Sequence, residues 1–410
     1  MTSHGVSDAD LPSRRRLRRA RWAIALVFLV HGSVTGNFAT RIPWIQDHTG
    51  AGAGQLGLAL AFPAIGASLA MPLAGRLSHR LGARTALRVL LALWTLSLTL
   101  PALSPNVYVL GAALFVYGAT SGLADVAMNA LGVETENRLD RPIMSGLHGM
   151  WSVGALVGSA AGTVAAHAGS DARLHLAAAA AVLTVCGVLA CRGVLDPPPP
   201  GPEEKAPPRF ALPPRSALII GAVGFCAVFA EGASLDWSAV YLRDELGTDA
   251  GLAAASTTAF SCTMALARLA GDKVVARFGA VRTVRVGGAL ATAGGLLVVA
   301  ARHPAMALGG FALLGLGIAV VVPLAFAAAA RSGPAPSQAI AGVATITYTS
   351  GLIAPSAIGS IAHATSLTAS FGLVTALALG LFAGAGVLRT HRGRDAADAA
   401  AAPAGERERA

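Results

Sequence analysis

Twelve apolar runs of helix length limit what this chain can fold into. A segment that crosses a ~30 Å hydrocarbon core needs about 20 apolar residues, and only a helix or a closed barrel satisfies its backbone there. Runs of that length recur along the whole chain of 410 residues, and they predict an all-α membrane protein with twelve transmembrane helices. They lie near 22–44, 55–75, 86–103, 107–131, 143–168, 174–191, 216–241, 250–270, 283–301, 305–327, 338–361 and 366–388.

Composition excludes several classes of soluble protein. Charged residues make up 13% of the chain and hydrophobic residues 54%, whereas a soluble protein has about 25% charged residues. Neither lysine, Lys205 or Lys273, lies in a Walker A sequence, so no nucleotide partner is expected. The net charge of +10 comes from residues that border the apolar runs, which argues against a nucleic-acid partner. The absence of HExxH and GxSxG sequences argues against an enzyme, and we expect no metal, disulfide or cofactor.

The basic residues predict the orientation. With the N-terminus inside, 27 of the 31 Lys and Arg residues fall on the inner side, in agreement with the positive-inside rule. Only Arg41, Arg173, Arg243 and Arg302 fall outside. The start SRRRLRRARWAIALVFLV resembles a secretory signal, but eleven further spans follow it, which favours a first transmembrane helix. We therefore expect a multi-pass protein of the cytoplasmic (inner) membrane with both termini in the cytoplasm.

An internal repeat divides the chain. A shift of 197 residues superposes Asp47, Gly50 and Gly54 on Asp244, Gly247 and Gly251, and further loops match at the same shift. A proline-rich stretch separates the copies, and proline removes backbone donors and prevents helix formation. The repeat predicts two pseudo-symmetric six-helix bundles with a cavity between them. The predicted parts are an N-tail (1–21), an N-terminal bundle (22–192), a linker (193–215), a C-terminal bundle (216–388) and a C-tail (389–410).

The sequence GRLSHRLGART, Gly75 to Thr85, follows the second predicted span. It resembles the signature loop of the major facilitator superfamily, although His79 replaces the usual Asp, and AGDKVVARFGAVR is its second copy. These loop charges are expected to form a latch that gates the two bundles, or else simply to anchor the helices on the inner side. The predicted gating residues are Gly75, Arg76, His79, Arg80, Gly82, Arg268, Asp272, Arg277 and Gly279.

Further motifs narrow the resemblance. NFATRIPWIQ, QLGLAL, DVAMNALGVE, LHGMWSVGALVG and EGASLDWSAVYL are similar to sequences of the fucose-permease-like branch of that superfamily. The likeness covers both bundles and implies the major facilitator fold, a sugar-like solute and a monomer. GALVGSAAG (Gly154 to Gly162) also resembles an antiporter motif, but its glycines at every fourth residue favour close helix packing instead.

Ionisable residues inside predicted spans are candidates for proton coupling, because a charge at the bilayer centre costs ~2.5–3.5 kcal/mol on insertion scales. Asp125 is the first candidate, with a static pair to His148 or an arginine as the alternative. Glu231 lies well inside its span. His31 lies near mid-membrane, where it either relays protons or donates, as a neutral ring, to a helix carbonyl.

Polar and aromatic residues near these acids are the candidates for substrate binding. Arg41 could bind the solute or pair with Asp236, while Trp151 and Tyr348, which match at the 197-residue shift, could stack on a sugar ring or fill the core. The predicted binding residues are Asn37, Arg41, Asn129, His148, Trp151, Asp236, Trp237 and Tyr348.

These patterns predict a secondary transporter that moves a small polar organic solute by alternating access, with the proton gradient as its energy source. The expected partners are a small-molecule substrate, protons and the lipid bilayer. One alternative is a proton-coupled exporter of drugs or lipophilic cations, which acids in the cavity would favour. The other is a non-transporting sensor with the same fold, which the short predicted tails disfavour.

Overall fold

The structure, a computed structural model, describes residues 14–140, 143–196, 215–331 and 336–388. In these ranges the chain forms α-helices and short 3-10 segments, with no strand. The first half contains α1 (Arg14–Ala39), α2 (Ile42–Thr49), α3 (Ala53–Ala59), α4 (Phe62–Ala70), α5 (Ala74–Leu81), α6 (Ala83–Ser97), α7 (Val107–Leu139), α8 (Met144–His167) and α9 (Ala172–Cys191). The second half contains α10 (Arg215–Leu246), α11 (Ala250–Phe278), α12 (Ala280–Val299), α13 (Pro304–Ile318), α14 (Val321–Ala330), α15 (Pro336–Ala364) and α16 (Leu367–Gly384).

Eleven helical segments within the described ranges are long and apolar enough to cross a membrane. Each coincides with one of the twelve predicted spans. The remaining prediction, 338–361, falls in α15, a helix of 29 residues that includes side chains outside the described set. The prediction of an all-α membrane fold is confirmed.

Side-chain caps fix where the long helices begin. The Oδ1 atom of Asn106 accepts from the backbone N–H groups of Tyr108 and Val109, both at 3.1 Å, at the start of α7. Asp249 accepts from Gly251 at 2.8 Å and Leu252 at 3.0 Å at the start of α11. Such caps satisfy N–H groups that have no partner within the helix, so these two polar residues set the entry points of long spans.

Glycines with positive φ mark the same turns in both copies of the repeat. Gly50 has φ 65° and Gly247, 197 residues later, has φ 62°. Gly82 and Gly279 likewise have φ 78° and 79°. A residue with a Cβ atom is disfavoured in this region, so the glycines are needed for these turns. The two copies therefore bend alike at corresponding positions.

The chain packs as two compact units. Among the described residues, unit 1 contains 14–38, 62–162 and 170–196, and unit 2 contains 39–61, 163–169 and everything from 215 onward. In unit 1, a Cβ atom on Gly154 would overlap the carbonyl oxygen of Leu29, and one on Gly158 would overlap that of Ser33. The glycines of GALVGSAAG thus bring α8 against α1, as the close-packing interpretation predicted.

Unit 2 includes two short segments from the first half of the chain. In it, α3 packs on α15 and α2 on α10, while α12 packs between α13 and α16. The division of the chain at the linker, which the repeat predicts, stays a prediction, since 197–214 and 389–410 lie outside the described residues.

Candidate functional site

Glu231 and Arg268 form an ion pair within unit 2. The Nη2 group of Arg268, in α11, donates to both carboxylate oxygens of Glu231, in α10, at 3.0 Å and 2.9 Å. Each side chain is 16% exposed, and the Nε group of Arg268 donates to the carbonyl oxygen of Ala319 at 3.2 Å. Charge-assisted hydrogen bonds thus hold together a largely enclosed pair with no net charge.

Arg268 was predicted to act with the gating loop, but in the structure it lies within helix α11. Helix α11 continues to Phe278, beyond the predicted end near 270, and the span before the first motif continues to Leu81. The signature residues Gly75, Arg76, His79 and Arg80 therefore lie within α5. Asp272 and Arg277 lie in α11, and only Gly82 and Gly279 remain as links between helices.

Asp125 and Asn129 form a polar pair on one face of α7, in unit 1. The Nδ2 group of Asn129 donates to the carboxylate Oδ1 of Asp125 at 3.1 Å and to the backbone oxygen of the same residue at 2.9 Å. Both side chains are half-buried. Among the described residues, Asp125 takes part in none of the ion pairs. Inside this span, the carboxylate of Asp125 therefore accepts a hydrogen bond from the neutral side-chain amide of Asn129.

His31 connects α1 with three other helices of unit 1, namely α6, α7 and α8. It is 4% exposed, and the Nε1 group of Trp151 donates to its Nδ1 at 3.0 Å. Its Nε2 lies 3.4 Å from the carbonyl oxygen of Ser121, which can only accept. The hydrogen-bond pattern therefore assigns a neutral ring with the proton on Nε2. Trp94 stacks on the ring with 5.1 Å between the two ring centroids. The predicted roles of His31 in proton coupling and of Trp151 in binding stay predictions.

Asn37 has a partner that the sequence did not suggest. The Nε2 atom of His175, in α9, lies 2.9 Å from Asn37 Oδ1, and Asn37 Nδ2 donates to the carbonyl oxygen of Ser33 at 2.8 Å. The two residues are separated by 138 positions, so no local pattern could reveal the contact. Arg41, predicted to share a face with Asn37, is 3% exposed and belongs to unit 2.

Arg243 joins the two halves of the chain at their predicted outer ends. Its Nη1 group lies 2.9 Å from Asp47 Oδ1 and donates to the carbonyl oxygen of Pro43 at 2.6 Å, and its Nη2 donates to Gln46 Oε1 at 2.7 Å. We call these four residues the Arg243 clamp. Gln46 and Arg243 are 197 residues apart, which is the repeat shift, so equivalent positions of the two copies meet. Sequence reasoning overlooked this arginine, although the shift contained the signal.

Two glycines make matching contacts within the same unit. A Cβ atom on Gly54 would lie 3.3 Å from the Cβ of His363, and one on Gly251 would lie 2.8 Å from the Cβ of His167. Gly251 is the repeat equivalent of Gly54, and the two histidines are one position away from equivalence. The contact therefore occurs twice with the roles of the two copies exchanged.

Asp236 and Trp237 lie five and six residues after Glu231 on α10. Trp237 is 0% exposed, and its Nε1 group has no partner among the described residues, nor has the hydroxyl of Ser234. Asp236 is half-buried and belongs to none of the ion pairs that the described ranges contain. This stretch thus presents a second carboxylate together with buried donors.

Two predicted binding residues remain, His148 and Tyr348. His148 is exposed on α8, where its ring meets Phe28 edge-on at 5.4 Å. The side chain of Tyr348 lies outside the described residues. Nowhere in the part of the chain that the structure describes do three or more His, Cys, Asp or Glu side chains gather as a metal site would require.

The apolar spans, the repeat and the signature residues in α5 all indicate one family. A comparison of sequences identifies that family. The family model of the Major Facilitator Superfamily matches residues 24–247, more than half of the chain. The chain belongs to the major facilitator superfamily. It is a multi-pass membrane transporter, in keeping with the relatives described below.

Bacterial relatives of this superfamily member match nearly the whole chain. An uncharacterized transporter of Sinorhizobium fredii is 35% identical over 85% of this chain and 92% of its own length. An uncharacterized MFS-type transporter of Yersinia pestis is 34% identical over 82% of this chain and 87% of its own. Membrane protein MosC of Rhizobium meliloti is 31% identical, covering 83% of each chain.

Solved structures share the fold. The nucleoside transporter NupG superposes with a TM-score of 0.71 at 12% identity, covering 90% of this chain and all of that one. A bacterial homolog of the human lysosomal transporter Spinster, in an inward-facing and occupied conformation, gives 0.69 at 12% identity, covering 92% and 97%. At such identities the likeness establishes the major facilitator fold.

Proposed function

We propose that this superfamily member is a proton-coupled secondary transporter of a small, neutral, polar organic solute across the cytoplasmic membrane. The observation that carries the proposal is Asp125, a carboxylate inside a spanning helix whose hydrogen-bond partner is the neutral Asn129. Within the described ranges Asp125 belongs to no ion pair, and such a carboxylate can take up a proton on one side of the membrane and release it on the other. Alternating exposure of such a group couples solute movement to the proton gradient.

The charges within unit 2 support a neutral solute. Glu231 and Arg268 cancel each other, so a solute that meets this pair meets hydrogen-bonding groups and no excess charge. Trp237 Nε1 and Ser234 Oγ add buried donors without partners among the described residues, and buried polar groups of this kind usually have a partner. A polyol or sugar can satisfy several such groups at once, which agrees with the motifs that resemble the fucose-permease-like branch.

The Arg243 clamp supports alternating access with its gate at the outer side. Three contacts of one guanidinium hold Pro43, Gln46 and Asp47 against α10. Opening an outer path to the site requires these contacts to separate, and closing it restores them. The distribution of basic residues predicts that both termini lie in the cytoplasm, so this gate would lie on the opposite side of the membrane.

A second function has one observation in its favour. Asp236 is a further half-buried carboxylate without an ion-pair partner in the described ranges, and such an acid would attract a lipophilic cation. A proton-coupled exporter of cations therefore remains the alternative. It differs from the first proposal in the charge and stereoselectivity of the ligand.

A thermal-shift screen followed by uptake separates the two functions. The purified protein is screened with neutral sugars and with lipophilic cations at pH 6 and pH 8; a ligand at 100 times its Kd stabilises the folded state by about 2.7 kcal/mol. We expect a stereoselective hit among the neutral polyols, and proton-driven uptake of that hit into proteoliposomes. Hits confined to cations, weakened by Asp236→Asn, would favour the exporter and overturn the first proposal.

A further inference from the structure

An apolar crevice lies between the predicted inner ends of three helices in unit 2. Its volume is about 510 Å³, within the roughly 300–1,000 Å³ range of small-molecule sites. Residues of α11, α12 and α13 form its walls, with Val320 just after α13.

Small residues explain why the crevice is open. Ala267, Ala270 and Gly271 present little side-chain volume on the α11 wall. On the opposite side, a Cβ atom on Gly287 would overlap the carbonyl oxygen of Gly317, so α12 and α13 touch through their backbones. Two larger apolar side chains of the lining are exposed, Val286 by 60% and Phe278 by 52%. On a membrane-spanning helix, exposed apolar surface of this kind suits hydrocarbon.

The charged residues are confined to one end of the crevice. Arg282 and Arg285 are both exposed, and they lie three residues apart near the start of α12, so they share a helix face. Neither belongs to an ion pair among the residues the structure describes. No acidic side chain occurs among the lining residues that the structure describes. Along α12 the lining extends for ~12 Å from Arg282 to Leu290, and its apolar part is Val286, Gly287 and Leu290.

We propose that this crevice binds an anionic phospholipid of the inner leaflet. Its phosphate group would contact Arg282 and Arg285, and an acyl chain would fill the apolar space between α11 and α12. Charge complementarity selects this occupant, because basic pockets between spanning helices on the cytoplasmic side match anionic head groups. A free phosphate ion would contact the arginines but would leave the apolar part of the crevice unfilled, so it is not the proposed ligand. The site does not depend on the transported solute.

Lipid titrations followed by native mass spectrometry test the site on the full chain. The protein is titrated with phosphatidylglycerol and, separately, with zwitterionic phosphatidylcholine. Arg282→Gln/Arg285→Gln should weaken phosphatidylglycerol binding about 30-fold, since each arginine near the surface contributes about 1 kcal/mol and 1.4 kcal/mol is tenfold. Ala270→Phe, which fills the crevice and keeps the arginines, should also weaken it. Phosphatidylcholine binding should change less than twofold in either variant.

Arg76→Gln/Arg80→Gln is the matched control. It removes two exposed arginines from the same predicted side of the membrane, and neither residue lines the crevice. Wild-type affinity in both crevice variants would overturn the proposal. So would weakened binding in the arginine variant with unchanged binding in Ala270→Phe, because attraction to surface charge would then suffice. A more than tenfold gain in lipid affinity on removal of residues 389–410 would identify the chain's own tail as the occupant and equally overturn it.

Discussion

Breaking the Glu231–Arg268 pair from one side tests the packing of unit 2. Arg268→Met removes a guanidinium that donates to both oxygens of Glu231, and it leaves a carboxylate whose side chain is only 16% exposed. Removing one partner of a buried ion pair costs about 3–5 kcal/mol, because the remaining charge has lost the attraction that offset its desolvation. Since this pair is not fully enclosed, we expect about 3 kcal/mol, the lower end of that range.

The double variant supplies the decisive comparison. Glu231→Gln/Arg268→Met leaves no unpaired charge at this position. It should therefore be more stable than Arg268→Met by about 2 kcal/mol, although it carries one more substitution. At about 1 °C per kcal/mol for a chain of this length, Arg268→Met should lower the midpoint of thermal unfolding by about 3 °C and the double variant by about 1 °C. Thermal unfolding of the purified proteins measures both values.

An exposed arginine serves as the control for this cycle. Arg302→Met changes the same residue type at an exposed loop position and should alter stability by less than about 0.5 kcal/mol. If the losses of Glu231→Gln and Arg268→Met simply add in the double variant, the two side chains are not coupled and the pairing is wrong.

Three further perturbations test other parts of the structure. Arg243→Ala should raise labelling of Ala51→Cys by an impermeant maleimide about tenfold, because lost charged hydrogen bonds exceed about 1.4 kcal/mol; Asp47→Asn should do less, since Asp47 is 68% exposed. Equal labelling in all three proteins would show that the clamp does not close the outer end. Trp151→Phe removes the donor to His31 Nδ1 and should cost about 1–3 kcal/mol in thermal stability while the ratio of protons to solute stays unchanged; a changed ratio would give His31 a role in coupling. Hydrogen bonds from the backbone of Leu252 and Gly251 lower the pKa of Asp249, so its cap stabilises the fold above the ordinary value near 3.8 and is lost as the pH falls through the lowered value. Asp249→Ala should therefore cost about 1 kcal/mol at pH 7 and less once the pH has fallen through the lowered pKa, because the protonated carboxyl keeps only a neutral capping oxygen. Asp249→Asn, which also keeps such an oxygen, should cost less than Asp249→Ala at pH 7; a loss in Asp249→Ala that does not change with pH would contradict the capping account.

Sequence alone predicted the spans, because the length of an apolar run is a local property that the bilayer thickness fixes. It also predicted the repeat, and the matching turns at Gly50 and Gly247 follow from that repeat. At the predicted cytoplasmic ends of two spans, the helices extend further than the sequence predicted. Helix α11 continues past its apolar part to Phe278, since backbone hydrogen bonds do not require apolar side chains once the helix leaves the hydrocarbon.

Contacts within the candidate site required the structure. Arg268 was predicted as a gating residue near the inner end of its span, but its partner Glu231 is 37 residues away on another helix. The contact between Asn37 and His175 depends in the same way on how helices pack. Hydropathy places a residue at a depth in the membrane, but it does not give the direction in which the side chain points. The roles of Asp125 and Asp236 stay predictions.

Transport by Asp125→Asn tests the central claim most directly. Two modes are measured in proteoliposomes with the solute found in the ligand screen: uphill accumulation driven by a proton gradient, and exchange of labelled for unlabelled solute without a gradient. Glu134→Gln, an acid of the same helix that pairs with Arg138 and is 32% exposed, is the control. The account predicts that Asp125→Asn abolishes accumulation and retains exchange, while Glu134→Gln retains both. Uphill accumulation at the wild-type rate in Asp125→Asn would contradict proton coupling through this carboxylate.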